Sequence, residues 1–394
     1  MPEGAGQALV SPDGDNPAIR STITNADEME EDMKRRTFMA GGAAGVAGAA
    51  VAAPAIAQTM PEVSWRCASS FPKSLDALYG PLDTMTKQIA EATDGRFKIQ
   101  CFAAGEIVGA FQTLDAVSAG TIEMCQSPGY YFVGKDPVLA LMADVPFIMN
   151  VRQRNAWLYQ GGGQQLVNDY VKKYNVHTVP GGNTGTQMGG WFRKEVRTLE
   201  DLKGLKFRIA GLAGQVVAKL GVVPQQIPGG DTYSSLERGV IDAAEWVGPY
   251  DDEKLAFVRV APYYYYPGFW EGAPTVHYWI GTEKWNALPK SYQQIFNNAA
   301  AANNLDMTAI YDARNPAALR RLVAAGAQLR AFSPEILDAA YKAANEIYDD
   351  LSKSNADFKR IYEHLRAFRN EEYLWWQVAE YSFDTMMLRL RQRS

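Results

Sequence analysis

Short apolar runs ending in loop residues recur along the chain from Val63 onward: "VSWRCASSF", "FKIQCFAAG" and "IEMCQSPGYY". Helical periodicity fills the gaps over 75–93 and 110–119, and Gly95 and Gly120 act as stop signals. That alternation predicts βαβ units, a sheet with helices on its faces. A second set follows: "GLKFRIA", a helix near 214–220, "VVPQQIP", a helix near 232–238, and "VIDAAEW". Two α/β lobes are therefore expected. From 289 to 391 the pattern changes to long helices, with Pro316 and Pro334 as punctuation. Phe358, Ile361, Tyr362, Leu365 and Phe368 keep helical spacing, whereas Leu374, Trp375, Trp376, Val378, Tyr381 and Phe383 run nearly all the way round. Such a helix needs cover, from its own core or from another chain.

The front of the chain reads as an address. "MKRRTFMAGGAAGVAGAAVAAPAIAQ", residues 33–58, has a basic start, a weakly apolar middle and Ala55-Ile56-Ala57 before Gln58. This is the order of an export signal. Arg35 and Arg36 followed by Thr37, Phe38 and Met39 resemble a twin-arginine signal, which implies export of a folded protein to the periplasm. Glycine richness and Pro54 argue against a membrane anchor. Residues 1–32 read as an extension ahead of a start at Met33 and stand, with 33–57, outside the fold argument.

Charge and composition narrow the function. The net charge is −5, but residues 1–57 hold eight acids and four bases, leaving 36 acids against 35 bases. No nucleic-acid or anionic-membrane partner is expected of so balanced a chain. Cys67, Cys101 and Cys125 each sit in a strand-like run and read as buried free thiols ahead of one incidental disulfide. The three histidines lack metal-ligand spacing, and the glycine-rich "YQGGG" and "GGNTGTQMGG" lead into no nucleotide-binding motif.

Four positions carry candidate chemistry. In "AAEWVGPYDD" an apolar run closes on Glu245 beside Trp246, and a carboxylate there is costly unless a cation faces it. Arg208 lies inside "DLKGLKFRIAG", between Phe207 and Ile209. Its planar fork suits a carboxylate, either a neighbouring acid in a buried pair or a ligand. "YYYYPGFWEGAP" places Glu271 after Trp270, echoing the first pair. Its tyrosines fit ordinary packing or a quaternary-ammonium cage. Two glutamates on loops, with the amide oxygen of Gln187 in "NTGTQMGGW", suit a hard cation.

"LEDLKGLKFRIAG" and then "KLGVVPQQIPGGDTYSSLERGVIDAAEW" are similar to the most specific stretch of the solute-binding proteins of tripartite ATP-independent periplasmic (TRAP) transporters, and the resemblance runs along essentially the whole mature chain. "YPGFWEGAP" and the C-terminal helix resemble the subgroup that binds 2-oxo acids. The resemblance implies an α/β, two-lobed periplasmic binding protein fold of type II-like form, its lobes joined by crossing strands and a long helix. Lobe I would take 58–185 and about 274–312, lobe II 186–273 and about 313–353, and 354–394 would form a C-terminal dimerisation helix. By the same resemblance Arg208 pairs with the ligand carboxylate. Glu245, the carbonyl of Trp246, Glu271 and Gln187 hold a metal ion, sodium ahead of calcium. Tyr131 or its neighbour Tyr130, Asn183, Gln187 and Trp246 border the ligand. The implied function is capture of a small monocarboxylate, such as pyruvate or 2-oxobutyrate, for a permease of small and large membrane subunits. A 2-hydroxy acid or an aromatic carboxylate with calcium is the alternative ligand. A metal-dependent periplasmic enzyme using Glu245 or Glu271 as base, and a choline binder, are the rival classes.

Overall fold

The structure is a computed structural model that describes residues 60–392. The expected export signal and the extension before it lie outside those residues. β1 (Val63–Ser69), β2 (Phe97–Phe102), β3 (Met124–Pro128) and β4 (Val176–Asn183) lie in a first sheet. β5 (Gly190–Phe192), β6 (Lys206–Arg208), β7 (Val223–Gln225), β8 (Ala243–Ala244) and β9 (Tyr263–Tyr266) form a second. β10 (Thr275–Gly281) returns to the first sheet and β11 (Gln328–Ala331) completes the second. The orders are β2-β1-β3-β10-β4 and β11-β9-β5-β8-β6-β7.

Strands joined through helices pair in parallel, as β1 does with β2 and β3, and β6 with β7 and β8. Antiparallel pairs appear where the chain changes sheet: β10 with β3 and β4, and β5 with β8 and β9. The chain leaves the first sheet at the end of β4 and comes back between β9 and β10. The third passage is the 35-residue helix Lys290–Ala324, about 50 Å long at ~1.5 Å per residue. In its first half Asn303 donates to the Gly181 carbonyl of β4 at 2.9 Å; in its second, Tyr311 donates to Asp251 at 2.8 Å. Crossing strands and a long helix thus link the two sheets, as the resemblance implies, and the fold is the expected α/β architecture.

Three local expectations need correction. Pro316 does not punctuate: it lies inside Lys290–Ala324, because buried Tyr311, Ala318 and Leu322 pack the helix on both sides of the lost N–H. β11 was not anticipated, since "QLRA" is a short, largely exposed edge strand with no apolar run. The run ending at "DAAEW" contributes only Ala243 and Ala244 to a strand, because the backbone leaves the sheet at Glu245. Pro334 does begin a helix, Pro334–Ser354, with Ser333 Oγ accepting the Ile336 N–H at 3.3 Å.

The C-terminal arm is two helices, Ala356–Val378 and Glu380–Arg391, broken at Ala379. The first half buries Phe358, Ile361, Tyr362 and Leu365, and Trp157 donates to His364 Nδ1 at 3.0 Å. Beyond it the apolar side chains lose their cover: Leu374, Trp375, Val378, Tyr381, Phe383 and Leu388 are all more than half exposed. Own-core packing therefore accounts for the inner half of the arm and not the outer half. Cys67, Cys101 and Cys125 fall on the neighbouring strands β1, β2 and β3 respectively as free thiols, Cys101 only partly buried.

Candidate functional site

The elements that change sheet also build one pocket. β6 delivers Arg208, and its carbonyl accepts the Glu245 N–H at 3.0 Å, so the end of β8 is tied directly to it. The passage after β4 delivers Gln187, whose N–H donates to the Glu271 carbonyl at 3.0 Å. The next residue, Met188, donates to the Val247 carbonyl at 2.9 Å. Backbone hydrogen bonds therefore hold three distant segments in register before any side chain contributes. The contacts are close enough to require glycine at Gly268, where a Cβ would lie 2.4 Å from the Gln187 carbonyl oxygen. Gly229 serves the same purpose under Trp246, whose ring a Cβ would approach to 2.3 Å.

About 340 Å³ of atom-free space, part of it open to solvent, lies within the pocket. Its polar wall is Arg208, Glu245, Glu271, Gln187 and Thr184, and its apolar wall includes Phe71, Leu78, Trp246 and Val276. Arg208 is 1% exposed. Its guanidinium donates to Glu245 Oε2 at 3.1 Å through Nη1 and to the Ile227 carbonyl at 3.1 Å through Nε, and its face rests 4.7 Å from the Trp246 ring. Of the two sequence readings of Arg208, the buried pair is thus realised, and it is realised inside a pocket. Glu271 accepts the Tyr130 hydroxyl at 3.2 Å.

Burial raises the pKa of both glutamates. Arg208 opposes the rise at Glu245, while Asp252 adds to it. At Glu271 the charges of Glu245 and Asp144 push further in the same direction. Two buried oxygens, Glu245 Oε1 and Gln187 Oε1, have no hydrogen-bond partner. Orphaned acceptors next to strained carboxylates are what a bound cation would satisfy. Among the described residues no group of three or more His, Cys, Asp or Glu is placed to hold a metal. The donor set is instead two carboxylates with amide and carbonyl oxygens, which is hard-cation chemistry.

Arg208, Gln187, Glu245, Trp246, Glu271 and Tyr131 all line this pocket, and so does Tyr130. Tyr131 is packed edge-on by Phe111 and Tyr130, and burial lifts its hydroxyl pKa to about 12. Asn183 is not among the lining residues. Its side chain donates to the Ala273 carbonyl at 3.0 Å and accepts the Gly185 N–H at 2.9 Å, bracing the crossing segments behind the site. Thr184, Phe71 and Leu78 were not singled out from sequence; each is an ordinary apolar or loop residue whose role depends on what faces it. Outside the pocket, Asp76 at the start of the helix Asp76–Ala92 accepts from Tyr250 at 2.9 Å and Arg314 at 3.1 Å and pairs with Lys254.

Comparison with known proteins places this geometry among relatives. The profile of bacterial extracellular solute-binding protein family 7 (DctP) matches residues 68–355. The monocarboxylate 2-oxoacid-binding periplasmic protein of Nostoc sp. is 48% identical over 360 residues, which cover 89% of this chain and 98% of that one. A TRAP transporter solute-binding protein from Bordetella bronchiseptica superposes with a TM-score of 0.83 at 47% identity, covering 84% of this chain and 99% of that one. That structure is a mixed-occupancy dimer with calcium and picolinate in one active site. A TRAP periplasmic solute-binding protein from Pseudoalteromonas atlantica, with bound sodium and pyruvate, gives a TM-score of 0.79 at 34% identity over 82% of this chain and 98% of that one.

Proposed function

The chain belongs to family 7 of the bacterial extracellular solute-binding proteins, the DctP-type binding components of TRAP transporters, and from that premise we propose that it captures a small 2-oxo monocarboxylate such as pyruvate through Arg208 and a bridging metal ion. The observation that carries the reading is the convergence of a buried guanidinium, two buried glutamates and two orphaned oxygens on one small pocket. Arg208 binds and orients the ligand carboxylate with its planar fork. Glu245, the Trp246 carbonyl, Glu271 and Gln187 hold the cation. When bound, that ion supplies the positive charge that lets three carboxylates share one buried site. Tyr131, Trp246 and Gln187 border the ligand, and Phe71, Leu78 and Val276 shape the apolar end. The same aromatic wall supports a second ligand class, aromatic carboxylates of the picolinate kind, as in the Bordetella relative.

The remaining parts of the reading follow the family. The ligand is released unchanged to a permease of small and large membrane subunits, and export to the periplasm uses the twin-arginine signal. Two copies associate through the outer half of the C-terminal arm, whose exposed apolar side chains call for a cover. The test is a thermal-shift panel on metal-stripped protein, with 2-oxo acids, 2-hydroxy acids, picolinate and choline, each without added metal, with sodium and with calcium. Stabilisation by pyruvate that requires a cation is the expected result. Stabilisation by choline alone would overturn the assignment, and loss of the pyruvate signal by NMR would mark an enzyme instead.

A further inference from the structure

Behind each glutamate stands another buried carboxylate, and the two are arranged alike. Asp252, 1% exposed, accepts through Oδ1 the N–H of Val247, two residues beyond Glu245, at 3.4 Å. Its Oδ2 accepts from Trp191 Nε1 at 2.9 Å and from the Tyr264 hydroxyl at 2.7 Å. Those two rings stack with their centroids 3.9 Å apart. Asp144, 2% exposed, accepts through Oδ2 the N–H of Ala273, two residues beyond Glu271, at 2.6 Å, and through Oδ1 the N–H of Val145 at 2.9 Å. Each acid thus clamps the backbone of one glutamate loop from behind without entering the pocket.

The charge around the pocket is unbalanced. Asp251, next to Asp252, is also buried and accepts from the Tyr311 hydroxyl at 2.8 Å. Five buried carboxylates (Glu245, Glu271, Asp144, Asp251 and Asp252) therefore face two buried guanidiniums, Arg208 and Arg154. Arg154 spends its Nη2 on the carbonyls of Leu141 and Met142, and its charge reaches Asp144 only through space. A bound monocarboxylate adds a sixth negative charge. A sodium ion would leave three charges uncompensated, and a divalent ion two.

Resting on the cation reading above, we propose that Asp144 and Asp252 are positioning residues for Glu271 and Glu245 whose charge makes the site select a divalent cation of the calcium class over sodium. Coulomb energy scales with the charge of the ion, so a remote carboxylate favours a divalent ion by twice the free energy it gives a monovalent one. This selection reverses the order of sodium and calcium that resemblance alone implies.

The experiment is calorimetry on the metal-stripped full chain at pH 8, titrated with calcium chloride or sodium chloride over a potassium chloride background, with and without pyruvate. Wild type, Asp144→Asn, Asp252→Asn and the charge-retaining Asp144→Glu are compared, and metal content after dialysis is read by mass spectrometry. Asparagine removes the charge but keeps only one acceptor oxygen. Its NH2 replaces an oxygen that accepts a donor: the Ala273 or Val145 N–H at Asp144, the Val247 N–H or Trp191 Nε1 at Asp252. That loss of clamping weakens binding of both ions alike, and the difference between the calcium and sodium losses is what reads the charge. Wild type is expected to bind calcium more tightly than sodium. Each Asn variant is expected to lose calcium affinity on the order of tenfold and sodium affinity about threefold, the square root of that factor. Asp144→Glu keeps the calcium preference. Equal losses for both ions would leave the acids as backbone clamps and overturn the inference. So would wild-type protein that binds sodium as tightly as calcium, a result that needs no variant to fold. Pyruvate binding that needs neither ion would instead overturn the cation reading itself.

Discussion

Replacing Arg208 separates the ligand contact from the cation contact, because the guanidinium serves one and opposes the other. In the structure it donates to Glu245 Oε2 and to the Ile227 carbonyl, each at 3.1 Å, with its face 4.7 Å from Trp246. A charge-assisted contact to a ligand carboxylate is worth about 1.5–3 kcal/mol. At ~1.4 kcal/mol per decade, Arg208→Met should weaken pyruvate binding about ten- to a hundredfold. Methionine fills much of the vacated volume, which matters because removing one partner of a buried pair costs about 3–5 kcal/mol of stability. The melting temperature should therefore fall as well, and affinity is to be measured only where the variant remains folded. Calcium alone should bind the variant no more weakly than wild type, since a positive charge beside the site is gone. Arg208→Lys keeps the charge and loses the fork, so its pyruvate affinity should lie between the two. Calorimetry with pyruvate at saturating calcium, and with calcium alone, reads both quantities. A folded Arg208→Met protein that binds pyruvate within about twofold of wild type would refute the carboxylate assignment.

Other consequences follow from the same geometry. Burial raises Asp144 and Asp251 to about 7 and Asp252 to about 6; unfolded, such groups titrate near ~3.9. The folded state then holds more protons than the unfolded one between those limits, so these acids cost stability increasingly as pH rises through that window. Metal-free protein should melt higher at pH 6 than at pH 8, and saturating calcium should remove or reverse that order; calorimetric melts at both pH values check it. His277 acts in the opposite sense: burial lowers it to about 3, so below ~6.5 the unfolded state gains a proton that the folded state refuses. His277→Gln should flatten the stability loss on the acid side, read from denaturant midpoints between pH 6 and 4. Trp375→Glu with Leu388→Glu places charge on the uncovered arm and should turn a dimer into a monomer without weakening pyruvate binding; light scattering after gel filtration that still shows a dimer would sink the arm as the interface. Asp76→Asn removes the carboxylate shared by Tyr250, Lys254 and Arg314, which ties the helix Asp76–Ala92 to the segment after Gly248 and to the long helix. Exposed pairs are worth up to about 1 kcal/mol each, so losing this tie should lower the melting temperature slightly and speed pyruvate release severalfold in stopped-flow tryptophan fluorescence; an unchanged release rate would show that the Asp76 contacts do not hold the ligand in.

What the sequence determined by itself was local. Apolar runs ending in loop residues marked β1, β2 and β3, and helical spacing found Phe358, Ile361, Tyr362 and Leu365 as one buried stripe. The ordered stretch from Leu199 to Trp246 carried the family, and the costly placement of Glu245 and Glu271 beside tryptophans pointed to a cation. Tertiary structure decided the rest. Nothing local distinguishes the crossing segment of Gln187 from a surface loop; its hydrogen bonds run to Glu271 and Gly268, more than 80 positions away. The roles of Asp144 and Asp252 were equally hidden, because a carboxylate draws its meaning from the N–H groups and charges that surround it. Pro316 misled for the converse reason: packing at Tyr311, Ala318 and Leu322 outweighs one missing hydrogen bond. The sequence shows what each residue needs, and only the fold shows which distant partner meets that need.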